Sequence, residues 1–203
     1  MSGRRRLQKA PPFGSEKTIY ANDLLDNENY KFIIVLMKKI NTKTICVLGA
    51  LTALEIVLSR FLSINAWNIK IGFSFVPVVV TAMLFGPLPA AAVAAMGDFL
   101  GALLFPIGAY FPGFTFTAFL TGLVFGLFLR REQTWKTIIP CVLINQLAMS
   151  LLLNTFWISV LYGSPYGPLI VTRLVQTAIL TVLQIAVIRL LAGIMPRLKT
   201  ALE

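Results

Sequence analysis

Residues 44–196 carry only ten charged side chains in 153 positions: Glu55, Arg60, Lys70, Asp98, Arg130, Arg131, Glu132, Lys136, Arg173 and Arg189. The rest is dominated by Leu, Ile, Val, Phe, Ala and Gly, broken into runs of about the length that spans a bilayer. A stretch this apolar does not stay soluble, so the chain reads as an integral membrane protein. Its 203 residues leave room for one helical bundle and little else. Within hydrocarbon an ionisable residue costs about 2.5–3.5 kcal/mol on insertion scales and persists mainly where it has a task or a partner. Glu55, Arg60, Asp98 and Arg173 fall inside or at the ends of these runs and are the first candidates for function.

Six spans are expected, at about 44–62, 71–86, 88–105, 113–129, 137–161 and 168–194. The marked breaks are Asn65–Lys70, Gly86-Pro87-Leu88-Pro89, residues 106–113, residues 130–136 and residues 162–168. The second and third are short; helices of that length sit partly inside a bundle or thin the bilayer around them. Lys38, Lys39 and Lys43 precede the first span, Arg130, Arg131 and Lys136 separate the fourth and fifth, and Arg197 and Lys199 follow the sixth. With six spans these all lie on one side, whereas the opposite loops hold only Lys70. The fold class is therefore an all-α integral membrane protein, six transmembrane helices in a compact bundle with N and C termini cytoplasmic. Residues 37–203 form that membrane domain. Residues 1–36, with Arg4-Arg5-Arg6, Pro11-Pro12 and an Asn-rich acidic stretch, read as a disordered extension or a start-site artefact upstream of Met37. They lack the apolar core of a cleavable signal peptide.

The balance of 18 Lys+Arg against 8 Asp+Glu gives +10, but it follows the positive-inside pattern rather than a nucleic-acid footprint, so no nucleic-acid partner is expected. Histidine is absent, which removes His-based metal sites and Ser-His or Cys-His nucleophile systems. Cys46 and Cys141 stand far apart in apolar runs and read as small buried hydrophobes. No GxxxxGK[ST] loop occurs, so any nucleotide hydrolysis belongs to another subunit. The reading assigns no catalytic residue, no metal and no cofactor, and the protein is not an enzyme.

Several residues point to binding instead. Arg60, near the outer end of the first span, can fork onto a carboxylate; snorkelling to headgroups or a pair with Asp98 or Glu55 is the competing reading. Arg173 on the outer half of span six has the same chemistry. Asp98, between Gly97 and Gly101, is either the counter-ion of an arginine or an acceptor for the amino-amide edge of a heterocycle. Residues 106–114 (PIGAYFPGF) alternate Pro and Gly with aromatics, so Tyr110, Phe111 and Phe114 can stack on a flat ligand or form an interfacial belt. Asn145, Gln146, Asn154 and Trp157 on span five, with Tyr162 and Tyr166, offer neutral hydrogen-bonding groups. Gly49 and Ala53 place two small residues on one face of the first span, a packing or partner surface.

The segments 54–64 (LEIVLSRFLSI), Phe85-Gly86-Pro87-Leu88 and above all 97–129 (GDFLGALLFPIGAYFPGFTFTAFLTGLVFGLFL) resemble the folate-type substrate-binding S components of bacterial energy-coupling-factor (ECF) transporters. The resemblance covers about residues 37–195. It implies a multi-pass protein of the bacterial cell membrane that binds a vitamin, folate, with high affinity from outside. It further implies association with a transmembrane coupling protein and two ATPase subunits, and delivery by toppling of the whole S component. The family's Ala-x-x-x-Ala face toward the coupling protein corresponds here to Gly49 and Ala53. On this resemblance Arg60 and Arg173 would meet the ligand's carboxylates, Tyr110, Phe111, Phe114 and Trp157 its rings, and Asp98 or Asn154 its heterocycle edge. Reduced folate or pantothenate is the alternative cargo, and a structural membrane subunit the alternative role.

Overall fold

Proline and glycine set most of the helix boundaries. The computed structural model describes residues 41–66 and 69–202, and in it six helices follow one another: α1 (Thr42–Arg60), α2 (Phe75–Phe85), α3 (Pro87–Leu104), α4 (Pro112–Leu129), α5 (Trp135–Tyr162) and α6 (Tyr166–Leu202). Pro87 and Pro112 start α3 and α4, where a missing N–H is harmless, and Gly163 in the left-handed conformation (φ +62°) ends α5. Five of the six are long and apolar enough to cross a membrane; α2 has only 11 residues, about 16 Å at the usual rise. Residues 1–36, expected as an extension or artefact, lie outside the described residues. By internal contacts the chain divides into Met1–Ile45 and Cys46–Glu203; the core and the cavity both belong to the second unit.

The second span expected at 71–86 begins later than that. An antiparallel hairpin, β1 (Ser63–Ala66) and β2 (Ile69–Gly72), occupies the connection from α1 and pairs Ile64 with Ile71 and Asn65 with Lys70. Ser-Ile-Asn-Ala and Ile-Lys-Ile-Gly alternate with period two, which suits a strand and defeats a helix. The membrane-crossing elements are thus helical, with a small hairpin as the departure from an all-α chain.

The helices alternate in direction. Gly72 of the hairpin, the loop before α4 and Tyr162 at the end of α5 border one cavity, at what is here the hairpin end, whereas the Gly86 turn lies against Arg130 at the other, basic end. Phe75, Val79, Ala82 and Met83 of α2 pack with Ala90, Phe125, Leu129, Ile138, Val142, Ile188 and Met195 into a dry core. Two close approaches fix α3 against its neighbours. Gly122 and Gly126, one helical turn apart on α4, face the backbone of Ala90 and Pro87, where an added Cβ would overlap it. Gly86 turns the chain at φ +94°, ψ −164°, open essentially to glycine alone. The Arg130 side chain lies over that turn. Cys141 is buried, but Cys46 is exposed on α1, so only one of the two behaves as a core hydrophobe.

Candidate functional site

Toward the hairpin end the core gives way to a cavity of about 420 Å³, well within the range of small-molecule sites. The helix that shows why it is polar is α6. Its buried positions among the described residues, Leu169, Arg173, Gln176, Thr177, Leu180, Gln184, Ile188 and Met195, recur every three or four residues apart from the adjacent Gln176 and Thr177 and the last turns. Four of the first six are polar, and Arg173, Gln176, Leu180 and Gln184 all line the cavity. The opposite face of α6 is apolar and exposed, with Val171, Val175, Val182 and Leu190 all more than 60% accessible. A helix with its polar stripe inward is built for lipid outside and a hydrated or ligand-bearing space inside.

The middle of α5 adds a second polar wall. Residues Ile144–Leu153 are π-helical, flanked by α-helical turns, with the Asn154 N–H donating to Met149 O. Such segments are uncommon and frequently occur at functional sites. Here the π-helical stretch and the residue after it bring Asn145, Gln146, Ser150 and Asn154 to the cavity. Among the described residues, both amide atoms of Asn145, Oε1 of Gln146 and Gln184, and Oδ1 of Asn154 are buried without a hydrogen-bond partner. Arg173 is 5% exposed and its Nη1 likewise has none. Buried polar groups are normally satisfied, so a concentration of unsatisfied amides around one cavity marks a place where hydrogen bonds are meant to be supplied from elsewhere.

The third wall is aromatic. Phe111 stacks edge-on against Phe114 at 6.2 Å and lies 5.4 Å from Trp157, centroid to centroid. Gly113 makes this possible, since an added Cβ there would sit 2.6 Å from both rings. Phe111, Phe114 and Tyr110 line the cavity, but Trp157 does not. It stands behind them, its Nε1 donating to Thr117 Oγ1 at 3.0 Å, and so braces the wall. Tyr166 likewise turns away, with its hydroxyl 3.3 Å from Leu152 O.

At the hairpin end α1 delivers Glu55 and Arg60 to the cavity. Both are seated on glycines of α3: a Cβ at Gly97 would run into Glu55 Oε2, and one at Gly101 would come within 2.9 Å of Arg60 Nε. Arg60 Nη2 lies 3.8 Å from Asp98 Oδ1 and donates to Asp98 O at 3.3 Å. Of the two readings of Asp98, the arrangement is that of counter-ion to an arginine. Arg60 is thus partly committed, whereas Arg173 faces no ion-pair partner among the described residues. Gly49 and Ala53 lie exposed on α1, and an added Cβ at Gly49 would meet nothing within 4 Å.

Of the residues singled out in the sequence, Glu55, Arg60, Asp98, Tyr110, Phe111, Phe114, Asn145, Gln146, Asn154, Tyr162 and Arg173 line this one cavity, whereas Trp157 and Tyr166 stand outside its lining. The cavity adds Gln176 and Gln184, whose spacing of three and eleven from Arg173 puts them on the same helical face.

Comparison with known proteins agrees with this architecture. Residues 39–196 match the family described as ECF-type riboflavin transporter, S component. The chain is 43% identical over 145 residues to the folate transporter FolT of Clostridium novyi (strain NT), covering 71% of this chain and 83% of that one. It is 30% identical over 156 residues to the folate transporter FolT of Leuconostoc mesenteroides subsp. mesenteroides, covering 73% and 84% respectively. A crystal structure of FolT bound with folic acid superposes with a TM-score of 0.72 at 36% identity, over 75% of this chain and 94% of that one.

Proposed function

The chain belongs to the S-component family of ECF-type transporters, and from that premise we propose that its cargo is folate and that the cavity is the folate site. The carrying observation is Arg173, a buried cation without an ion-pair partner among the described residues, in a cavity that also holds the Arg60–Asp98 pair, Glu55, aromatic faces and neutral amides. The family description names riboflavin, but a flavin with its neutral sugar-alcohol chain brings no carboxylate to such a group. Folate brings two carboxylates, a flat benzoyl linker and a pterin whose edge alternates donors and acceptors. Both folate transporters among the relatives point the same way.

The order of groups along the cavity suggests an orientation. Arg60 ends α1 and Arg173 lies two turns into α6, so both belong to the hairpin end. Gln184 is eleven residues further along α6, about 16 Å deeper, at the level where α5 contributes Asn145 and Gln146. The pterin enters first and meets the amides; the glutamate stays near the mouth with Arg173 and Arg60. Tyr110, Phe111 and Phe114 flank the linker, with Trp157 holding their wall. Asn154 is an amide contact from α5, and Asp98 acts through Arg60.

The protein then works as a multi-pass subunit of the bacterial plasma membrane, with α2 completing six membrane-embedded helices and both termini cytoplasmic. The Arg130–Lys136 loop supports that orientation by the positive-inside rule. Gly49 and Ala53 form the face for a transmembrane coupling protein, two ATPase subunits supply hydrolysis, and toppling delivers the ligand. Binding of folic acid, riboflavin and pantothenate to the purified protein, by tryptophan fluorescence quenching and calorimetry, tests the cargo. One-to-one sub-micromolar binding of folic acid alone is the expected result; equal or tighter binding of riboflavin would overturn it.

A further inference from the structure

Thr115 does not line the cavity, yet it joins three things that do. Its Oγ1 donates to Asp98 Oδ2 at 2.9 Å, while the Tyr110 hydroxyl lies 3.3 Å from that same Oγ1. A threonine hydroxyl has one proton, and here it is given to the carboxylate, so the Tyr110 O–H must donate to Thr115. The other Asp98 oxygen faces Arg60 Nη2. The result is a directed chain, Tyr110 to Thr115 to Asp98, closing on the guanidinium. It spans the loop before α4, the first turns of α4, the middle of α3 and the end of α1.

We propose that Thr115 is the positioning residue of the anion-binding end of the site, orienting Arg60 through Asp98 and tying down Tyr110 at the mouth through the same hydroxyl. The inference rests on the folate reading and deepens it, because it says how one of the ligand's two carboxylates is selected. At 3.8 Å the Arg60–Asp98 pair is loose, so the direction of the guanidinium depends on where the carboxylate is held. Thr115 holds it, leaving one oxygen for Arg60. Gly101 supplies the other half of the seat, since any side chain there would displace Nε. Arginine is useful here because its planar fork transmits orientation to a bound carboxylate. Tyr110 is fastened to the same atom, so loosening Thr115 frees the loop and the guanidinium together.

The test compares folic acid with pteroic acid, which keeps the pterin and benzoyl groups but lacks the glutamate. Affinities by calorimetry and release rates by stopped flow are measured for the wild type, Thr115→Val, Thr115→Ser, Arg60→Gln and the double variant Thr115→Val with Arg60→Gln. Wild type prefers folic acid. Arg60→Gln removes the part of that preference owed to one of the two carboxylates. Thr115→Val lowers the preference at least fivefold toward the Arg60→Gln value and speeds release of both compounds, Thr115→Ser restores both properties, and the double variant shows no further loss of preference. If Thr115→Val weakens both compounds equally, or neither, the hydroxyl is only structural and the proposal falls. Should Thr115→Val fail to fold, Thr115→Ala and Asp98→Asn carry the same expectation and the same refutation. A wild type that binds no folic acid refutes the cargo, and the proposal with it; wild-type binding with an undiminished preference in the variants refutes the proposal alone.

Discussion

Replacing Arg173 by glutamine tests the site with two effects of opposite sign. In the free protein the guanidinium is 5% exposed and, among the described residues, has no ion-pair partner. A buried, uncompensated charge destabilises the state that holds it. Arg173→Gln therefore raises the melting temperature of the ligand-free protein, by about 2–4 °C for each kcal/mol recovered in a chain of this size. Binding moves the other way. Leaving a carboxylate without its cation costs on the order of 2–5 kcal/mol when the pair is dry. The mouth lies at the hairpin end and admits water, so the lower part of that range applies, about 2–3 kcal/mol or roughly 30- to 150-fold in Kd. Calorimetry with folic acid and thermal unfolding with and without ligand measure both quantities on one sample. An affinity within threefold of wild type, or a free protein that melts lower together with weaker binding, would refute the argument, the latter by making the loss one of folding.

Three further substitutions separate packing from recognition. Gly126→Val drives a side chain into the Pro87 backbone, so a loss of about 1–3 kcal/mol should appear as a lower unfolding temperature. Gly86→Ala places a Cβ at φ +94° beneath Arg130; because that side chain can move, backbone strain of about 1–3 kcal/mol dominates, and the loss should persist in an Arg130→Ala background. Gln184→Met keeps length but removes a buried amide whose Oε1 has no hydrogen-bond partner among the described residues, so the free protein is expected to melt no lower while folic acid binds about tenfold more weakly.

The parts of this protein that were legible in the sequence are those where one residue decides local geometry. Pro87 and Pro112 mark helix starts because a missing N–H is tolerated there, and the loop at 106–113 announces itself through alternating Pro, Gly and aromatics. The charged cavity residues stood out because an ionisable group in an apolar run needs a reason. The hairpin was harder to see. Ile69 and Ile71 continue into Phe73 and Phe75, and a hydropathy reading merges the strand with the helix; only the period of two in Ser63–Ala66 and Ile69–Gly72 separates them. Trp157 was assigned by residue type, and nothing in the sequence says that Gly113 leaves room for its ring against α4, behind Phe111. The π-helical stretch of α5 shifts which residues share a face, so counting by 3.6 through Asn145 and Asn154 misleads. Gln176 and Gln184 are legible by that count, since α6 is regular across them and both share the face of Arg173.

The same contrast explains how such a cavity binds. Between helices surrounded by lipid there is little hydrophobic drive, and close approach at small residues does much of the holding, as Gly122 and Gly126 do against Ala90 and Pro87. That lets the interior near the hairpin end remain polar without collapse: α2 and the basic-end halves of α3 to α6 carry the packing, while α5 and α6 turn amides inward. Each amide atom left without a partner raises the energy of the free protein, and a heterocycle with a complementary edge removes several such penalties at once. Affinity then depends on how many are removed, and selectivity on the fact that a ligand of similar shape without that edge leaves them in place. On the proposed function the buried Arg173 applies this logic to charge, so a carboxylate-bearing vitamin is expected to suit the cavity better than a neutral one of comparable flatness.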